Sequence, residues 1–385
     1  MCLFVCLSPF FSYIYILYFR LSPLAHSICD WTTTPPSHTP RIHETPDHVV
    51  DELLYKGPLE RISLKLPIGS LDPEVASVFP PLEYELCPTY VARLKDACVA
   101  GMPVAVINRH GTILGDVSID WRFPRIKHKF LYPSLRFGRR QLAGRTLMLA
   151  ATGAETFSHF LFDSISRGFL LEECGLHFRD FNHIIINNLE SPFQRELLIK
   201  LGIRPSQLIC LATSKTIRCD ELILPSYPSG LGQYHLGALN WLRKTFLSSA
   251  SNSRLAERIF ISRGMAKSRR IVNESQIEEV LARHGFRKVF LERLPIIEQF
   301  SLFSTASHII APHGAGLSNL AFSSKGTKVL ELFATGSLNA CYWTLSNYRD
   351  LNYSCLVSPQ APQKGSHGNI VVDPNSFQKF LSSWI

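Results

Sequence analysis

Two apolar runs joined by a glycine-containing turn constrain the fold of this chain more than any other stretch. The first run, 308–311, has the length and composition of a buried parallel strand, and the segment Pro312-His-Gly-Ala-Gly316 follows it. A helix is expected from Leu317, and the second apolar run, 328–332, predicts the next parallel strand. A strand, a turn, a helix and a second strand make a βαβ unit, so this stretch predicts an open α/β sheet.

The turn in this unit has the features of an anion site. Gly314 and Gly316 are expected to adopt positive φ and to let a ligand approach the backbone closely. A helix that starts at Leu317 would direct free N–H groups toward a phosphate, and His313 could donate to the same group. Glu331 is expected at the carboxyl end of the next strand, where open α/β sheets bind ligands. A turn with a purely structural role is the alternative.

A basic loop follows the strand predicted at 258–262. Its cationic residues are Arg263, Lys267, Arg269 and Arg270. A guanidinium group can bind two phosphate oxygens at once. Because parallel strands end at one edge of a sheet, the loop and the glycine turn together predict a phosphate site. A solvated loop is the alternative. The segment Ser275-Gln-Ile-Glu278 predicts a capping box at the start of the next helix.

The N-terminal half contains a histidine and a carboxylate at helical spacing. A strand is predicted at 145–151 and a helix at 155–167, in which His159 and Asp163 lie four residues apart and share one face. An imidazole oriented by a carboxylate is a general-base arrangement, although an ordinary helix-surface pair has the same spacing. Further strands and helices alternate here, which predicts a parallel sheet. The strands are 183–186, 206–210 and 221–224, and the helices are 192–201 and 236–248.

Composition favours anionic partners. The net charge is +9 and the isoelectric point about 9.1, which suits nucleotides or a phospholipid surface. Nucleic acid is not expected, because the aromatic residues are not interleaved with lysine and arginine and no helix-turn-helix or zinc-finger pattern occurs. The basic residues between 122 and 145 form either a solvated face or a contact surface for an anionic acceptor or membrane. None of the ten cysteines forms a C-x-x-C pair, so reduced thiols facing a cytosol are expected.

The first forty-four residues differ from the rest. The segment 3–19 is almost entirely apolar or aromatic and could just span a bilayer. It lacks a basic leading region and a small-residue cleavage site, which argues against a signal peptide. Two interpretations remain, a short N-terminal anchor or translated sequence upstream of the true start. The expected location is therefore cytoplasmic or membrane-associated, and 27–46, rich in Pro, Thr and His, is interpreted as a linker.

Four segments of the chain resemble the family 61 glycosyltransferases, which include bacterial polysaccharide-synthesis enzymes, plant xylosyltransferases and animal O-GlcNAc transferases. They are Ile261-Ser-Arg-Gly-Met-Ala-Lys-Ser-Arg-Arg-Ile-Val-Asn-Glu274, Pro312-His-Gly-Ala-Gly-Leu-Ser-Asn-Leu320, Val329-Leu-Glu-Leu-Phe333 and, more loosely, Phe157-Ser-His-Phe-Leu-Phe-Asp163. The resemblance implies an α/β fold of the GT-B type, with two Rossmann-like domains whose parallel sheets face each other across a cleft. It also implies inverting transfer of a sugar from a nucleotide-sugar donor, UDP-linked, to a glycan, polysaccharide, glycoprotein or glycolipid acceptor.

The resemblance assigns roles to individual residues. His159 or Asp163 would be the catalytic base, and His313 would act at the departing diphosphate. The arginines would hold the diphosphate, and Glu331 would bond a ribose hydroxyl. The residues expected to bind the donor are Arg263, Arg269, Arg270, Asn273, Glu274, His313, Gly314, Ala315, Gly316, Leu317 and Glu331. No Asp-x-Asp motif occurs in the chain, so neither a metal ion nor another cofactor is expected.

The predicted organisation has four parts. Residues 1–44 hold the apolar segment and linker, 45–250 an acceptor-side α/β domain, 251–357 the nucleotide-sugar-binding domain, and 358–385 a tail, with packing back on the N-terminal domain as one option. A hinge between the domains is expected at 248–254. Two other functions stay open, a Rossmann-type nucleotide-dependent oxidoreductase and a non-catalytic protein that binds anionic sugars. Against the oxidoreductase, Asn319 stands where a dinucleotide fingerprint has its third glycine.

Overall fold

The computed structural model describes residues 50–67, 81–86, 89–101, 103–110, 113–115, 117–118, 140–213, 216–230, 232–247, 257–361 and 368–385. The predictions about the N-terminal apolar segment and linker, the basic residues 122–139 and the hinge at 248–254 lie outside these ranges. The described residues fall into two compact units. The N-terminal unit contains those within 50–62 and 84–245, and the C-terminal unit contains those within 63–83 and 246–385.

A mixed seven-stranded sheet forms the centre of the N-terminal unit. Its order is β1-β4-β9-β6-β7-β8, with β5 paired to β4, while β2 pairs with β3 and β10 with β11. The strands, numbered along the chain, are β1 (Glu52–Lys56), β2 (Glu60–Ser63), β3 (Glu83–Leu86), β4 (Tyr90–Ala100), β5 (Ala105–Ile107), β6 (Arg140–Met148), β7 (His183–Ile186), β8 (Leu208–Cys210), β9 (Thr216–Pro225), β10 (Ser229–Gly230) and β11 (Gln233–Tyr234).

The parallel sheet predicted for this half is confirmed only in part. Strands β9, β6, β7 and β8 are parallel neighbours, whereas β1, β4 and β5 pair antiparallel. Residues 101–104 alone connect β4 to β5, and a connection this short permits only an antiparallel pair. The long strand β4 was not predicted, because its charged residues at 93, 95 and 96 interrupt the apolar pattern of a buried strand.

The helix predicted at 155–167 is present but irregular. An α-helical turn, α1 (Phe157–His159), leads into a π-helical turn (Phe160–Ser164), a 3₁₀ turn (Ile165–Arg167) and α2 (Gly168–Glu173). Two regular helices follow, α3 (Pro192–Lys200) and α4 (Leu236–Phe246), close to their predicted bounds. Residue 160 is the first π-helical position, so His159 lies where the helical geometry changes.

The C-terminal unit is built on five parallel strands, and the last of them along the chain was not predicted from the sequence. They are β12 (Glu257–Ile261), β13 (Phe286–Val289), β14 (Ala306–Pro312), β15 (Lys328–Ala334) and β16 (Asn352–Ser358), in the order β13-β12-β14-β15-β16. The chain adds β13 on one side of β12 and then returns to its other side with β14. Winding therefore reverses between β12 and β14, and open α/β sheets bind ligands at the carboxyl ends of the strands beside such a reversal.

The helices of this unit are α5 (Glu274–Arg283), α6 (Ile296–Thr305), α7 (Cys341–Tyr348) and α8 (Pro374–Trp384). Phe377 and Leu381 of α8 share one buried core with Ile277 of α5. The apolar face of α8 therefore completes the core of the C-terminal unit, and packing of the tail on the N-terminal domain stays a prediction. Helix α5 begins at Glu274, so Ser275 lies inside the helix and does not cap it as predicted.

A short segment from early in the chain also belongs to the C-terminal unit. Trp343, fully buried in α7, donates its Nε1–H to the carbonyl oxygen of Lys65 at 3.0 Å. The backbone N–H of Lys65 donates to Oδ1 of Asn347 at 2.6 Å. Both backbone groups of Lys65 are thus bound by one helix, which explains why residues 63–67 join this unit.

Neither a membrane-spanning helix nor a metal-binding cluster occurs within the described ranges. Their helices are too short or too polar to cross a bilayer. No group of three or more His, Cys, Asp or Glu side chains among them could hold a metal ion.

Candidate functional site

Two loops leave the C-terminal sheet at the point where its winding reverses. One follows β12 and carries the basic residues, and the other follows β14 and carries the glycine turn. Strands β12 and β14 are parallel neighbours, with Phe260 opposite Ile310, so both loops begin at the same edge. The structure thus brings together the two segments from which a phosphate site was predicted.

Arg263 is anchored at this edge. Its guanidinium donates from Nε and Nη2 to the carbonyl oxygen of Ser268, at 3.3 and 3.1 Å, while Nη1 lies against Gly314. Burial lowers the pKa of Arg263, and the positive charge of Arg269 lowers it further. Two guanidinium groups are therefore close enough to repel each other, and an anion bound between them would relieve that repulsion.

The basic loop forms no ion pair among the described residues, and the only carboxylate whose charge acts on the pKa of Arg263 is that of Glu292. Arg263 and Arg269 are half-buried and Lys267 and Arg270 exposed, and none of the four takes part in an ion pair within the part of the chain that the structure describes. Arg269 has a φ of 58°, which is uncommon for a residue with a Cβ. Its side chain packs against Gly368, where a Cβ would lie 2.8 Å from Cγ of Arg269. The loop is thus held in a specific conformation.

Gly314 and Gly316 do not have the positive φ that was predicted. Gly314 has a φ of 169°, which is extended backbone, and Gly316 also lies outside the left-handed region. Glycine is required instead by neighbouring side chains. A Cβ on Gly314 would collide with the guanidinium of Arg263, and one on Gly316 would lie 2.7 Å from Cδ1 of Leu291. The close approach at Gly314 is therefore made by an arginine of the protein.

The glycine turn continues into a 3₁₀ helix, Ala315–Phe322, instead of an α-helix from Leu317. Leu317 is buried, and its N–H already donates to the carbonyl oxygen of Gly314 at 2.9 Å. The N–H groups of Ala315 and Gly316 precede any acceptor within the helix, and both residues are only half-buried. These two N–H groups, and not that of Leu317, are therefore the ones that could meet a phosphate.

His313 is connected to two buried side chains of the adjacent strands. Its Nδ1 lies 2.5 Å from Oε1 of Glu331, and the hydroxyl of Tyr353 donates to Oε2 of Glu331 at 2.6 Å. The imidazole stacks on Phe333, with ring centroids 5.2 Å apart, and contacts Tyr342 at 5.3 Å. The ring is thus held on two sides as well as through Nδ1.

The role predicted for Glu331 does not agree with its position. Its side chain is 0% exposed and lies in the middle of β15, with one oxygen bonded to His313 and the other to Tyr353. A carboxylate buried in this way cannot reach a ribose over the edge of the sheet. The sequence pattern identified the strand correctly but did not show that the strand continues to Ala334, which places Glu331 well before its end.

Asn273 and Glu274, also expected to bind the donor, contact other parts of the protein. Asn273 accepts from the N–H of Val372 at 3.1 Å and donates to its carbonyl oxygen at 2.7 Å. Oε1 of Glu274 accepts from the hydroxyl of Ser262 at 2.7 Å and from Lys288 at 2.8 Å. These contacts connect the start of α5 to the C-terminal segment and to β12 and β13, which is a structural role. Arg270 is likewise held through its backbone, by the side chain of Asn369 at 2.9 Å.

The predicted histidine–carboxylate pair of the N-terminal unit is present. Nδ1 of His159 lies 2.6 Å from Oδ2 of Asp163, and the hydroxyl of Ser229 donates to Oδ1 of Asp163 at 2.7 Å. Burial lowers the pKa of His159, but the hydrogen bond and charge of Asp163, with the charge of Glu155, outweigh it and raise the pKa above its ordinary 6.5. The pair follows β6, at the carboxyl end of that strand.

Several residues around the two sites were not predicted from the sequence. Tyr353 and Ser229 belong to strands distant in sequence from their partners, and no local pattern identifies either. Arg167 is fully buried, donates to the carbonyl oxygen of Met148 at 3.0 Å and lies over the ring of Tyr227. Arg167 follows Asp163 by four residues, as Asp163 follows His159, so helical periodicity could have drawn attention to it.

Residues 157–330 match the family Glycosyltransferase 61. The resemblance inferred from four short segments is thereby confirmed. The matched residues contain the His159–Asp163 pair, the basic loop and the glycine turn, and they end one position before Glu331. The Glycosyltransferase 61 match therefore draws on both units of the chain.

A curated relative agrees with this match. The EGF domain-specific O-linked N-acetylglucosamine transferase of Drosophila melanogaster is 30% identical over 113 residues, which is 26% of this chain and 22% of the relative. The chain thus spans less than a quarter of the length of the relative. The two comparisons support glycosyl transfer in general.

Proposed function

We propose that this protein is an inverting glycosyltransferase that transfers a hexose or pentose from a nucleotide-sugar donor, UDP-linked, to a glycan, polysaccharide or glycoprotein. The observation that carries the proposal is the pair of half-buried guanidinium groups, Arg263 and Arg269, at the winding reversal of the C-terminal sheet. Neither guanidinium forms an ion pair among the described residues, and their charge suits a diphosphate. The Glycosyltransferase 61 match supports the same function.

In this proposal the C-terminal unit binds the donor diphosphate. Arg263 and Arg269 contact the phosphate oxygens, and the N–H groups of Ala315 and Gly316 add neutral donors. As the bond between the sugar and the diphosphate breaks, negative charge develops on the leaving oxygen. The two guanidinium groups stabilise that charge without a metal ion.

The acceptor requires a base, because inversion is a single displacement at the anomeric carbon. The acceptor oxygen forms the new bond to this carbon, its proton passes to the base, and the diphosphate leaves with the electron pair of the broken bond. We assign the base to His159 and an orienting role to Asp163. Both oxygens of Asp163 are engaged, by His159 and Ser229, and its side chain is 11% exposed, whereas that of His159 is 31% exposed.

Nucleotide binding tests the donor site. Thermal shift of the full chain is measured with UDP, GDP, CMP and NAD, each with and without EDTA. We expect stabilisation by UDP that EDTA does not change and that Arg263→Ala reduces at least about tenfold in affinity, because a charged hydrogen-bond partner of phosphate is lost. Arg283→Ala is the matched control, since Arg283 is exposed at the end of α5, the end directed away from the carboxyl ends of the strands.

The other outcomes of this experiment are equally decisive. Stabilisation by NAD alone would favour the oxidoreductase. Normal UDP affinity in Arg263→Ala would remove the basic loop from the donor site. Transfer itself is then measured as the release of UDP from UDP-sugars in the presence of glycan acceptors. The anomeric configuration of the product reports whether the reaction inverts.

A further inference from the structure

A row of three polar side chains crosses the C-terminal sheet beneath the proposed phosphate site. His313 directly follows β14, Glu331 lies within β15, and Tyr353 lies within β16. Glu331 has no exposed surface, and a buried carboxylate requires donors on its oxygens. It receives one on each, Nδ1 of His313 at 2.5 Å and the hydroxyl of Tyr353 at 2.6 Å. Neither Glu331 nor Tyr353 has a part in the proposed transfer.

The direction of these hydrogen bonds determines where the imidazole carries its proton. Burial, and after it the charge of Glu331, raises the pKa of Tyr353 well above its ordinary value, so the phenol keeps its proton and donates it. An ionised carboxylate only accepts, so Nδ1 of His313 is a donor in either charge state. The neutral ring therefore has no proton on Nε2, and a second proton taken up by the ring would be placed there.

The contact with Glu331 decides which ring nitrogen of His313 can meet a ligand. Nδ1 is bonded to Glu331 within the sheet, so Nε2 is the nitrogen that remains. Phe333 and Tyr342 hold the ring plane. The next residue, Gly314, lies against the guanidinium of Arg263, so His313 directly precedes the cationic site in the chain, and the His313 side chain is 12% exposed.

We propose that Glu331 and Tyr353 are positioning residues for His313. They hold the ring so that it takes up a proton on Nε2 when a nucleoside diphosphate binds, and this N–H then donates a hydrogen bond to a phosphate oxygen. This inference rests on the proposed function. The imidazolium then lies between two anions, Glu331 and the diphosphate. The same contact stabilises the charge on the diphosphate as it leaves the sugar.

The surroundings of His313 contain groups of both signs. The titratable and charged side chains around the ring and its partners are Glu331, Tyr353, Tyr342, Cys341, Cys355, Arg263, Arg269 and Glu292. Arg263 adjoins the turn that follows His313, Arg269 acts on Arg263, and Glu331 bonds Nδ1 of the ring. A bound diphosphate neutralises the arginines and adds a second attraction, so the proton is taken up with the ligand.

The experiment observes the ring nitrogens directly. Nitrogen-15 histidine spectra of the full chain are recorded at pH 8 without and with UDP, and His313→Gln assigns the signals. We expect the Nδ1–H form without UDP and the doubly protonated ring with saturating UDP. In Glu331→Gln we expect loss of the doubly protonated signal and about tenfold weaker UDP binding; in Tyr353→Phe we expect a smaller loss, because the carboxylate stays.

Ser354→Ala is the matched control, because it removes a buried hydroxyl from the strand that also carries Tyr353. That hydroxyl accepts a hydrogen bond from Trp384 and is not bonded to Glu331. Its spectrum and UDP affinity should equal those of the wild type. An Nε2–H form in the free protein would overturn the inference, whatever the spectrum with UDP shows. If UDP binds and depends on Arg263 while the His313 signals stay unchanged, the inference fails and the proposed function stands. If UDP does not bind, the proposed function fails on its own evidence.

Discussion

Two histidines of this chain each place Nδ1 against a carboxylate, in different surroundings. Asp163 lies one helical turn after His159, is slightly exposed, and accepts a second hydrogen bond from Ser229. Glu331 is wholly buried within β15. The first arrangement suits an imidazole that must accept a proton from a substrate, and the second suits one that must keep a proton near an anion. In the two proposals, a histidine–carboxylate pair thus serves opposite proton transfers.

The pH dependence of activity should report the His159–Asp163 pair. A general base must be neutral, so kcat/KM should fall as the pH drops through the pKa of His159, which Asp163 holds above 6.5. In Asp163→Asn the stabilising charge is absent, so this acid limb should move to lower pH. His159→Gln should lower the rate about 100-fold or more.

The control for this measurement is His177→Gln, an exposed histidine of the same unit, which should leave the profile unchanged. An acid limb that stays at the same pH in Asp163→Asn would show that another group titrates, and His159 would lose its role as the base.

The local sequence was enough to predict the contact between His159 and Asp163, but not the contact between Glu331 and Tyr353. The His159–Asp163 contact follows from a spacing of four residues on a helix, which fixes the distance. Tyr353 lies 22 positions from Glu331, and their contact depends on the register of two parallel strands. Hence Glu331 was assigned to a ligand, because its protein partner could not be identified from the sequence.

Among the elements, the turn after β14 shows how a correct motif was given the wrong physical reason. The glycines were expected to provide positive φ, but each is needed because a side chain packs against its Cα. The neighbour of Gly314 is the guanidinium of Arg263, and the neighbour of Gly316 is a methyl group of Leu291. A side chain that arrives from another loop leaves no trace in the local sequence, which explains the error.

This difference predicts unequal effects of two alanine substitutions. In Gly314→Ala the added methyl group collides with Arg263, so UDP affinity should fall at least about tenfold and the free energy of unfolding by about 1–3 kcal/mol. Gly316→Ala meets the end of a flexible leucine, so its effect on UDP affinity should be smaller. Calorimetric UDP titration and urea unfolding measure both quantities.

The comparison fails if Gly314→Ala binds UDP normally, because Arg263 would then be free to move without consequence. Backbone strain does not complicate the test, since neither glycine has a φ in the left-handed region.

For the whole molecule, the C-terminal sheet was the more predictable half. Its central strands β14 and β15 are largely apolar and buried, and its strands alternate with helices, a pattern typical of a buried parallel sheet. The N-terminal sheet combines parallel and antiparallel strands. Its strand β4 carries charged residues, so the apolar pattern of a buried strand does not identify it. The assignment of residues 63–67 to the C-terminal unit could not be predicted, because it rests on hydrogen bonds to a helix far along the chain.

Limited proteolysis should reveal how firmly this segment is held. Trypsin cleaves after Lys65 only when the backbone there is released from α7. Trp343→Phe removes the donor to the carbonyl oxygen of Lys65, so cleavage at this bond should become about three- to tenfold faster. Mass spectrometry of the fragment that begins at Leu66 measures the rate.

Trp384→Phe is the matched control, because Nε1 of Trp384 donates to the hydroxyl of Ser354 and not to this segment. Equal cleavage rates in wild type and Trp343→Phe would show that other contacts hold residues 63–67.

The same hydrogen bond has a consequence for synthesis on the ribosome. Lys65 is translated 278 residues before the tryptophan that binds it. Throughout that interval the N-terminal unit can complete its own sheet, but an early piece of the second unit must wait without its partner. A nascent chain halted anywhere before Trp343 therefore exposes this segment to chaperones, and only the last stretch of translation can bring it into place.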